Sequence, residues 1–471
     1  MPCNNYRSSL LVTAILWQVS LSASGAYVTI LNNGPSSNRI DMVFLGDGYT
    51  ESQIDTVYAD HVQSTIDNFF GGTEDPFPRY QNFFNVYRVD VISNESGADR
   101  PPDGIMRDTA LDASYYYNSG PQELLFINKY KADAKLLESG LLDPQFSIEM
   151  RLVTVNDTLY GGGGSSSYAA FAGGSVSSWQ IALHELGHSF AGLVDEYVVG
   201  SQTYTSYEPQ AANVTTSSTG EKWSQWLGYT DPDHPEMGVI GAYEGAMVDY
   251  SHGVYRPSTS SKMRSVNRPF DAVGREEIIL DIYSHVDPLD AALDNSTTLV
   301  DPTSLWVDTI DADVIQVQWF VDDELVTHAT DEIFHPFNLS PGEHEIKARA
   351  YDDTPWVRRD LEQLEQWVTW NIDVNTVLEP FHGDANLDGI VDDEDAVILA
   401  ANWQNDNADW FQGDFDGDGV VTDIDVTLLA VNWQRDITSM VSVPEPGMLV
   451  LLFAAWLIAV QRSRGRNREC L

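Results

Sequence analysis

At 471 residues, with 25 basic against 71 acidic side chains and a formal charge of −46, the chain is too long for one ordinary core and too acidic to suit nucleic acid. A prior of about 150 residues per domain divides it into roughly three units. Such acidity fits an extracellular life in salty, calcium-containing water, where self-repulsion is screened and carboxylate clusters bind the ion; a well-solvated surface accounts for most of it.

Residues 1–26 carry Arg7, an apolar stretch from Leu10 to Leu21 and the small residues Ser24, Gly25 and Ala26, the pattern of a secretory signal peptide cleaved near Ala26. The only cysteines, Cys3 and Cys470, both lie in terminal segments of targeting character. A processed product then has no disulfide and leans on large cores and bound metals.

Arg39 to Leu45 is an apolar, β-branched run closing on Gly46-Asp47-Gly48, which predicts a strand and a turn. Thr50 with Gln53 forms a capping-box signal, after which Ile54, Val57, His61, Val62, Ile66 and Phe69 recur at helical spacing. The run from Phe84 to Ile92 predicts a second strand, Glu123 to Leu137 a helix, and Ile148 to Val155 another strand. This alternation indicates an α/β sheet. Gly161 to Gly164 with Ser165 to Ser167 is too glycine-rich for a core element and reads as a mobile loop, either a cleft rim or an inert linker.

The run His184-Glu185-Leu186-Gly187-His188 combines a metal site with a base. On a helix the i, i+4 spacing puts both imidazoles on one face, where they share a zinc ion while Glu185 reaches the water beside it. Ser177 or Ser178 is placed to cap that helix, and Ile181, Leu183 and Leu186 supply its apolar contacts. Zinc needs at least one further protein ligand. The pattern resembles the metzincin motif with one residue inserted, Gly192 standing four after His188 and Asp195 three beyond it. That resemblance implies Asp195 as third ligand; a one-residue shift in the turn exchanges it for Glu196, and either carboxylate alternatively orients an imidazole from behind.

A longer set of blocks carries a second resemblance: Leu45-Gly46-Asp47-Gly48-Tyr49-Thr50, Asn85-Val86-Tyr87 followed by Glu95-Ser96-Gly97, His184 to Tyr197, Tyr243-Glu244-Gly245-Ala246, and Gly253 to Pro257 before Met263-Arg264. Together they resemble the IgA-peptidase family of zinc metallopeptidases, the sixty-fourth metallopeptidase family, over about residues 27–290. The resemblance implies an α/β, metzincin-like zinc peptidase domain, assigned here to residues 27–294, that acts on protein or peptide. Where relatives carry cysteines around Phe270 to Glu276, this chain has Asp271 and Gly274, so a thiol or second-metal role there is lost. Met263 is the candidate for a methionine turn beneath the zinc or else a core residue. Tyr255 ranks ahead of Tyr243 as a donor to the tetrahedral intermediate, both being equally readable as packed side chains.

From 295 to 378 short runs alternate with period two, as in Ile315 to Val321 and Glu343 to Tyr351 with Ser340-Pro341-Gly342 as a turn, which predicts an immunoglobulin-like β-sandwich without catalytic groups. Residues 382–436 hold two copies of a period-30 repeat: Gly383 to Gly389 returns as Gly413 to Gly419, and Asn402-Trp403-Gln404 as Asn432-Trp433-Gln434. Each copy has the oxygen spacing of a calcium loop, with Asp384, Asn386, Asp388, the Ile390 carbonyl and Asp395 in the first and Asp414, Asp416, Asp418, the Val420 carbonyl and Asp425 in the second, and glycine (Gly389, Gly419) at the sharp turn. Aspartate at the last position and the Asn-Trp ending resemble the dockerin type I duplication, a small all-α calcium module. The resemblance implies a cohesin-like partner; attachment to an extracellular matrix or a calcium-stapled stalk is the alternative.

Val443-Pro444-Glu445-Pro446, the apolar run Met448 to Val460 and Arg462, Arg464, Arg466 and Arg468 come in the order of a PEP-CTERM sorting signal, assigned to residues 443–471. The apolar run is shorter than the roughly 20 residues that span a bilayer comfortably. The resemblance implies membrane contact before processing and delivery to the surface or matrix of a Gram-negative-type bacterium, with a simple tail anchor as the alternative. Loss of residues 1–26 and 447–471 leaves 20 basic against 70 acidic residues. Two functions stand at this point: a secreted or surface zinc endopeptidase with Glu185 as general base, and a calcium-dependent binding protein whose peptidase domain is vestigial.

Overall fold

The computed structural model describes residues 27–72, 74–142, 148–164 and 167–437. The signal-like and sorting-like segments, 1–26 and 443–471, and Ser165 and Ser166 lie outside the described residues. Among the described residues no helix is long and apolar enough to cross a membrane.

The amino-terminal half is built on a six-stranded sheet made of β1 (Tyr27–Leu31), β2 (Ile40–Asp47), β3 (Phe84–Val89), β4 (Ile148–Val155), β5 (Gly162–Gly164) and β6 (Ala169–Ala172), in the order β1-β3-β2-β4-β6-β5. The four central strands are parallel, and the edge strands β1 and β5 run antiparallel to their neighbours. Every residue of β2 is buried. Ile40, Met42 and Phe44 face one layer of the core and Val43 and Leu45 the other, as expected of a strand covered on both sides. One layer holds α2 (Ala59–Gly71), α4 (Ser178–Ser189) and α5 (Ala272–Tyr283); the other holds α3 (Lys129–Ser139). The capping box at Thr50 and Gln53 opens the short α1 (Glu51–Gln53), which reaches α2 through a π-helical turn at Ile54–Tyr58.

Two sequence expectations change here. Residues 123–128 are not helical; α3 starts at Lys129, because the Asn128 side chain accepts the Tyr130 and Lys131 amides at 3.2 and 3.4 Å and caps it there. The apolar run Leu124-Leu125-Phe126 suits a strand as well as a helix, and the open side of β5 takes it up: Leu124 bridges Gly162 in parallel. Gly162 to Gly164, read as part of a mobile loop, is strand β5, held to β6 through Gly162–Phe171 and Gly164–Ala169. Glycine weakens a strand interior, and here close approach of other groups requires it.

A three-stranded sheet, β7 (Val198–Thr203), β8 (Tyr243–Ala246) and β9 (Val248–Arg256), follows α4 in the order β7-β9-β8. The next unit is a two-sheet β-sandwich. Its three-stranded sheet is β10 (Leu289–Ala292), β12 (Leu305–Thr309) and β15 (Ile333–Phe334); its five-stranded sheet is β11 (Leu299–Val300), β17 (Glu365–Val374), β16 (Gly342–Asp352), β13 (Ile315–Val321) and β14 (Glu324–Val326). Because β10 pairs with β12, the sandwich begins near Leu289 and not at residue 295, a boundary that only a long-range pairing reveals. Trp319 stacks on Phe334 and Trp370 inside it. Buried Asp352 of β16 accepts hydrogen bonds from the Tyr80 and Tyr283 hydroxyls at 2.6 and 3.0 Å and from Arg79 at 2.7 Å, tying the sandwich to the first domain. The last unit carries α6 (Asp393–Ala401) and α7 (Asp423–Val431), packed through Leu399, Leu429, Val391 and Val421.

Candidate active site

Helix α4 leaves β6 through Gly173 and Gly174 and seats Ile181, Ala182, Leu183 and Leu186 in the core. Neither serine caps it by a side-chain bond, in contrast to the sequence expectation; the Ser178 hydroxyl has no partner. His184 and His188 stand one turn apart with ring planes at 85°. Each imidazole is fixed from behind: His184 Nδ1 lies 3.0 Å from the Lys262 carbonyl and His188 Nδ1 2.7 Å from the Leu193 carbonyl. With Nδ1 as donor in both, the two Nε2 atoms are left as lone-pair donors facing each other at 3.3 Å.

The chain then reverses. Gly192 adopts φ +58°, a conformation that disfavours side chains, and Leu193 donates its amide to Gly187 O at 2.9 Å. This returns Asp195 to the histidines, with Oδ1 at 3.3 Å from His184 Nε2 and 3.4 Å from His188 Nε2. That oxygen is buried and forms no hydrogen bond of acceptable geometry. The three atoms make a nearly equilateral triangle. A tetrahedral zinc with ligands at about 2.0–2.1 Å separates those ligands by roughly 3.3 Å, so the donor set fits the ion in chemistry and in size. Burial opposes charge on Asp195, but the adjoining imidazoles hold its carboxyl below the usual range. Burial likewise works against charge on His188, yet Asp195, Glu185 and the Leu193 carbonyl push it up to about 9, so an ion binding at Nε2 would displace a proton there.

Glu196, the competing ligand, points the other way. Its amide donates to Met263 O at 2.8 Å, and its buried carboxyl accepts from Asn213 at 3.0 Å and from Ser261 at 2.6 Å. Burial and the charge of Asp271 push it up to about 8. Met263 packs under α4, its sulfur 2.6 Å from where a Cβ on Gly187 would stand. The strand of chain from Ser261 to Met263 therefore holds both His184 and the Asp195-Glu196 turn.

Glu185 is buried against β5. A Cβ on Gly162 would stand 2.7 Å from its Oε1, and one on Gly164 2.7 Å from its Oε2, while the Gly164 amide donates to the carboxylate. Burial raises its pKa, opposed by the two histidines. Sequence reasoning missed this strand, because three glycines have no periodicity to read. It also ranked Tyr255 first among the tyrosines. Tyr255 lies in β9, across from Glu244 and bridged to Thr215, whereas the phenols on which the site's carboxylates act are Tyr160, through Glu185, and Tyr197, through Asp195 and Glu185. Burial, then those negative charges, keeps both phenols protonated.

The two acidic loops fold alike. In the first, Asp384 Oδ2 accepts the Gly389 amide at 3.1 Å, Asn386 Oδ1 the Asp388 amide at 3.1 Å, Asp388 Oδ1 the Ile390 amide at 2.8 Å, and Asp395 the Ala385 and Asp392 amides at 2.7 and 2.9 Å. The second repeats this with Asp414, Asp416, Asp418 and Asp425. Ile390 bridges Asp436 and Val420 bridges Asp406, so each loop is clasped by the far end of a repeat. Ligand oxygens of Asp414, Asp416 and Asp418 lie within 4.8 Å of one another. Asp384 Oδ1 is buried without a partner, and burial with Asp395 and Asp388 pushes that carboxyl up to about 8. Converging carboxylates without a counter-charge, one orphaned, fit a hard cation held by oxygen.

Residues 28–236 match the family model described as IgA Peptidase M64. The matched segment contains α4, the His184-His188-Asp195 cluster and β5, and the match supports a peptidase of that family, and hence a protein or peptide substrate. No curated protein matches the chain. Among solved structures it is similar to fibronectin(III)-like modules of Clostridium thermocellum CbhA, at 21% identity over 18% of this chain and 44% of that one, with a TM-score of 0.13. The chain thus spans less than half the length of that structure.

Proposed function

We propose that the chain is a secreted or surface zinc endopeptidase whose ion is held by His184, His188 and Asp195. The observation that carries this reading is the triangle of two Nε2 atoms and one unpartnered Oδ1, with edges of 3.3 to 3.4 Å, next to the buried Glu185 carboxylate. Zinc, when bound, supplies a Lewis acid that polarises the scissile carbonyl and makes water a competent nucleophile at neutral pH. Glu185 takes the proton of the attacking water on its carboxylate and returns it to the leaving amine nitrogen. The Lys262 and Leu193 carbonyls keep both histidines in the Nδ1–H tautomer. Tyr197, ahead of Tyr255, is the hydroxyl we assign to the developing oxyanion, since it interacts with Asp195, two residues before it, and burial with the charges of Asp195 and Glu185 keeps it protonated.

In the same reading the two acidic loops take calcium through Asp384, Asn386, Asp388, the Ile390 carbonyl and Asp395, and through Asp414, Asp416, Asp418, the Val420 carbonyl and Asp425. The module is then dockerin-like, with a cohesin-like or matrix partner, and the terminal segments direct export and surface sorting. The orphaned Asp384 oxygen supports the calcium part. The test of the enzyme is Glu185→Gln in the full chain: zinc content by elemental analysis stays near one per chain while hydrolysis of casein and of a peptide library is lost. Full activity in that variant sinks the mechanism, and zinc without cleavage in the unmodified protein favours a binding module.

A further inference from the structure

The two acidic loops are alike in sequence but not in surroundings. The second stands in solvent: Asp416, Gly417 and Asp418 are exposed, and a Cβ on Gly419 would meet nothing within 4 Å. The first faces the β-sandwich. Asn386, Leu387 and Asp388 are partly covered, Gly389 is buried, and a Cβ on Gly389 would stand 2.8 Å from His335 Nε2. His335 is itself fixed, with Nδ1 2.6 Å from the Thr303 carbonyl and its ring stacked on Phe337. Beside it the exposed His328 of the sandwich stacks on Phe411 of the module, centroids 3.8 Å apart. Between the two units a cavity of about 140 Å³ is lined by Val326, Phe334 and Phe337 on one side and by Leu387 and Phe411 on the other.

Leu387 sharpens the contrast. Its φ is +62°, in the left-handed region, and its counterpart thirty residues on is Gly417, which holds φ +72° without strain. A leucine is strained there, and its side chain reaches the shared cavity, so the contact accounts for the strain. Leu387 also stands between Asn386 and Asp388, and the geometry that brings their oxygens together sets the direction of the leucine. Without a counter-charge, Asp384, Asp388 and Asp395 repel one another, and pressing them against an apolar face adds a desolvation cost. A dication held by the loop, whose Asp384 Oδ1 is buried without a partner, relieves both. We propose that the contact between the first loop and the sandwich is a calcium-dependent latch: an ion at Asp384, Asn386, Asp388 and Asp395 docks the module on the face carrying His328 and His335, while the second loop takes its ion without touching the sandwich. Asp352 already ties the sandwich to the peptidase domain, so the latch joins all three units into one body in calcium-containing water. This rests on the calcium reading of the loops and goes beyond it.

The experiment uses the full chain, with calcium chloride or with EGTA, and reads docking by hydrogen exchange and binding by calorimetry. Amides of residues 326–338 are expected to exchange about tenfold more slowly with calcium than with EGTA, in the wild type and in Asp414→Ala but not in Asp384→Ala. Leu387→Gly is expected to keep both calcium sites and to lose that protection. Linkage makes the effect reciprocal: His328→Ala, on the sandwich surface and outside both loops, weakens one of the two calcium sites by about three- to tenfold and spares the other, and in Asp384→Ala it changes nothing. Exchange that is equal with and without calcium overturns the latch, as does protection lost in Asp414→Ala and kept in Asp384→Ala. If both loop variants lose protection, calorimetry decides, and calcium affinities unchanged by His328→Ala, or lowered equally at both sites, overturn it. A chain that binds no calcium defeats the calcium reading and the latch together, whereas two sites filled without a change in exchange defeat the latch alone.

Discussion

Gly164→Ala places one methyl group where the structure has no room beside Glu185, the group we propose as general base. The added carbon would stand 2.7 Å from Glu185 Oε2 and 3.0 Å from His188 Cβ, against the 3.4 Å at which ordinary contact begins. Gly164 has no left-handed backbone, so alanine is not strained there by φ, and the clash must be relieved by moving side chains. The flexible end is the carboxylate, which has to retreat by about 0.7 Å and loses its place over the Gly164 amide. Misplacement of a reacting group by about 1 Å costs on the order of 100-fold, or roughly 2.7 kcal/mol in transition-state stabilisation. We therefore expect kcat/KM of Gly164→Ala to fall about 30- to 100-fold through kcat, with zinc content unchanged. Gly71→Ala, at the end of α2, is the control, because a Cβ there meets nothing within 4 Å and leaves β5 and the carboxylate alone. The assay pairs steady-state hydrolysis of a fluorogenic peptide with elemental zinc analysis and thermal unfolding. Activity of Gly164→Ala within about threefold of wild type, with zinc intact, refutes the idea that β5 sets the position of Glu185.

Asp195→Asn is expected to weaken zinc by more than the roughly 10- to 100-fold typical of losing an outer partner, whereas Glu196→Gln keeps zinc within a few fold, since Glu196 turns to Asn213 and Ser261 and its burial beside Asp271 favours the neutral carboxyl that glutamine mimics; competition with a chelator measures both, and the reverse order exchanges the two assignments. Calcium titration by calorimetry is expected to show two sites, Asp384→Ala and Asp414→Ala each removing one, with about 2.7 kcal/mol of stabilisation per site at 100 times its Kd; unchanged stoichiometry in either variant counts against its loop. Asp281 of α5 titrates near 7 because of burial and the neighbouring Glu277, opposed by Arg359. Its folded pKa is raised, so the stability it contributes is complete below about pH 4 and is lost as pH rises through 7. Asp281→Asn should accordingly melt with wild type near pH 4 and about 2–4 °C above it at pH 8, and equal melting at pH 8 contradicts the shift.

Much of the local architecture was legible in the residues. The Thr50-Gln53 box, the β2 run and the bounds of β4 follow from capping chemistry and β-branched apolar stretches, which act over a few residues. The i, i+4 histidines needed only a helix, and α4 supplies it. The period-30 repeat likewise declares its two loops, since each closes on amides within its own dozen residues. Where a segment had no pattern, or one pattern suited two elements, reading failed: Leu124-Leu125-Phe126 went to β5, and three glycines became a strand.

What the sequence determined by itself is which groups stand together on one helix and its turn: two imidazoles, a carboxylate between them and a glycine able to reverse the chain. Only the tertiary structure decided how they face. Asp195 turns to the histidines and Glu196 to Asn213 and Ser261 because a chain segment about 65 residues later, Ser261 to Met263, holds the turn from behind. Glu185 is packed against glycines some 20 residues before it, an arrangement no motif block announced. Helical spacing, capping and turn chemistry are properties of neighbours along the chain; orientation at a site depends on side chains and carbonyls brought together from distant elements, and no local pattern carries that information.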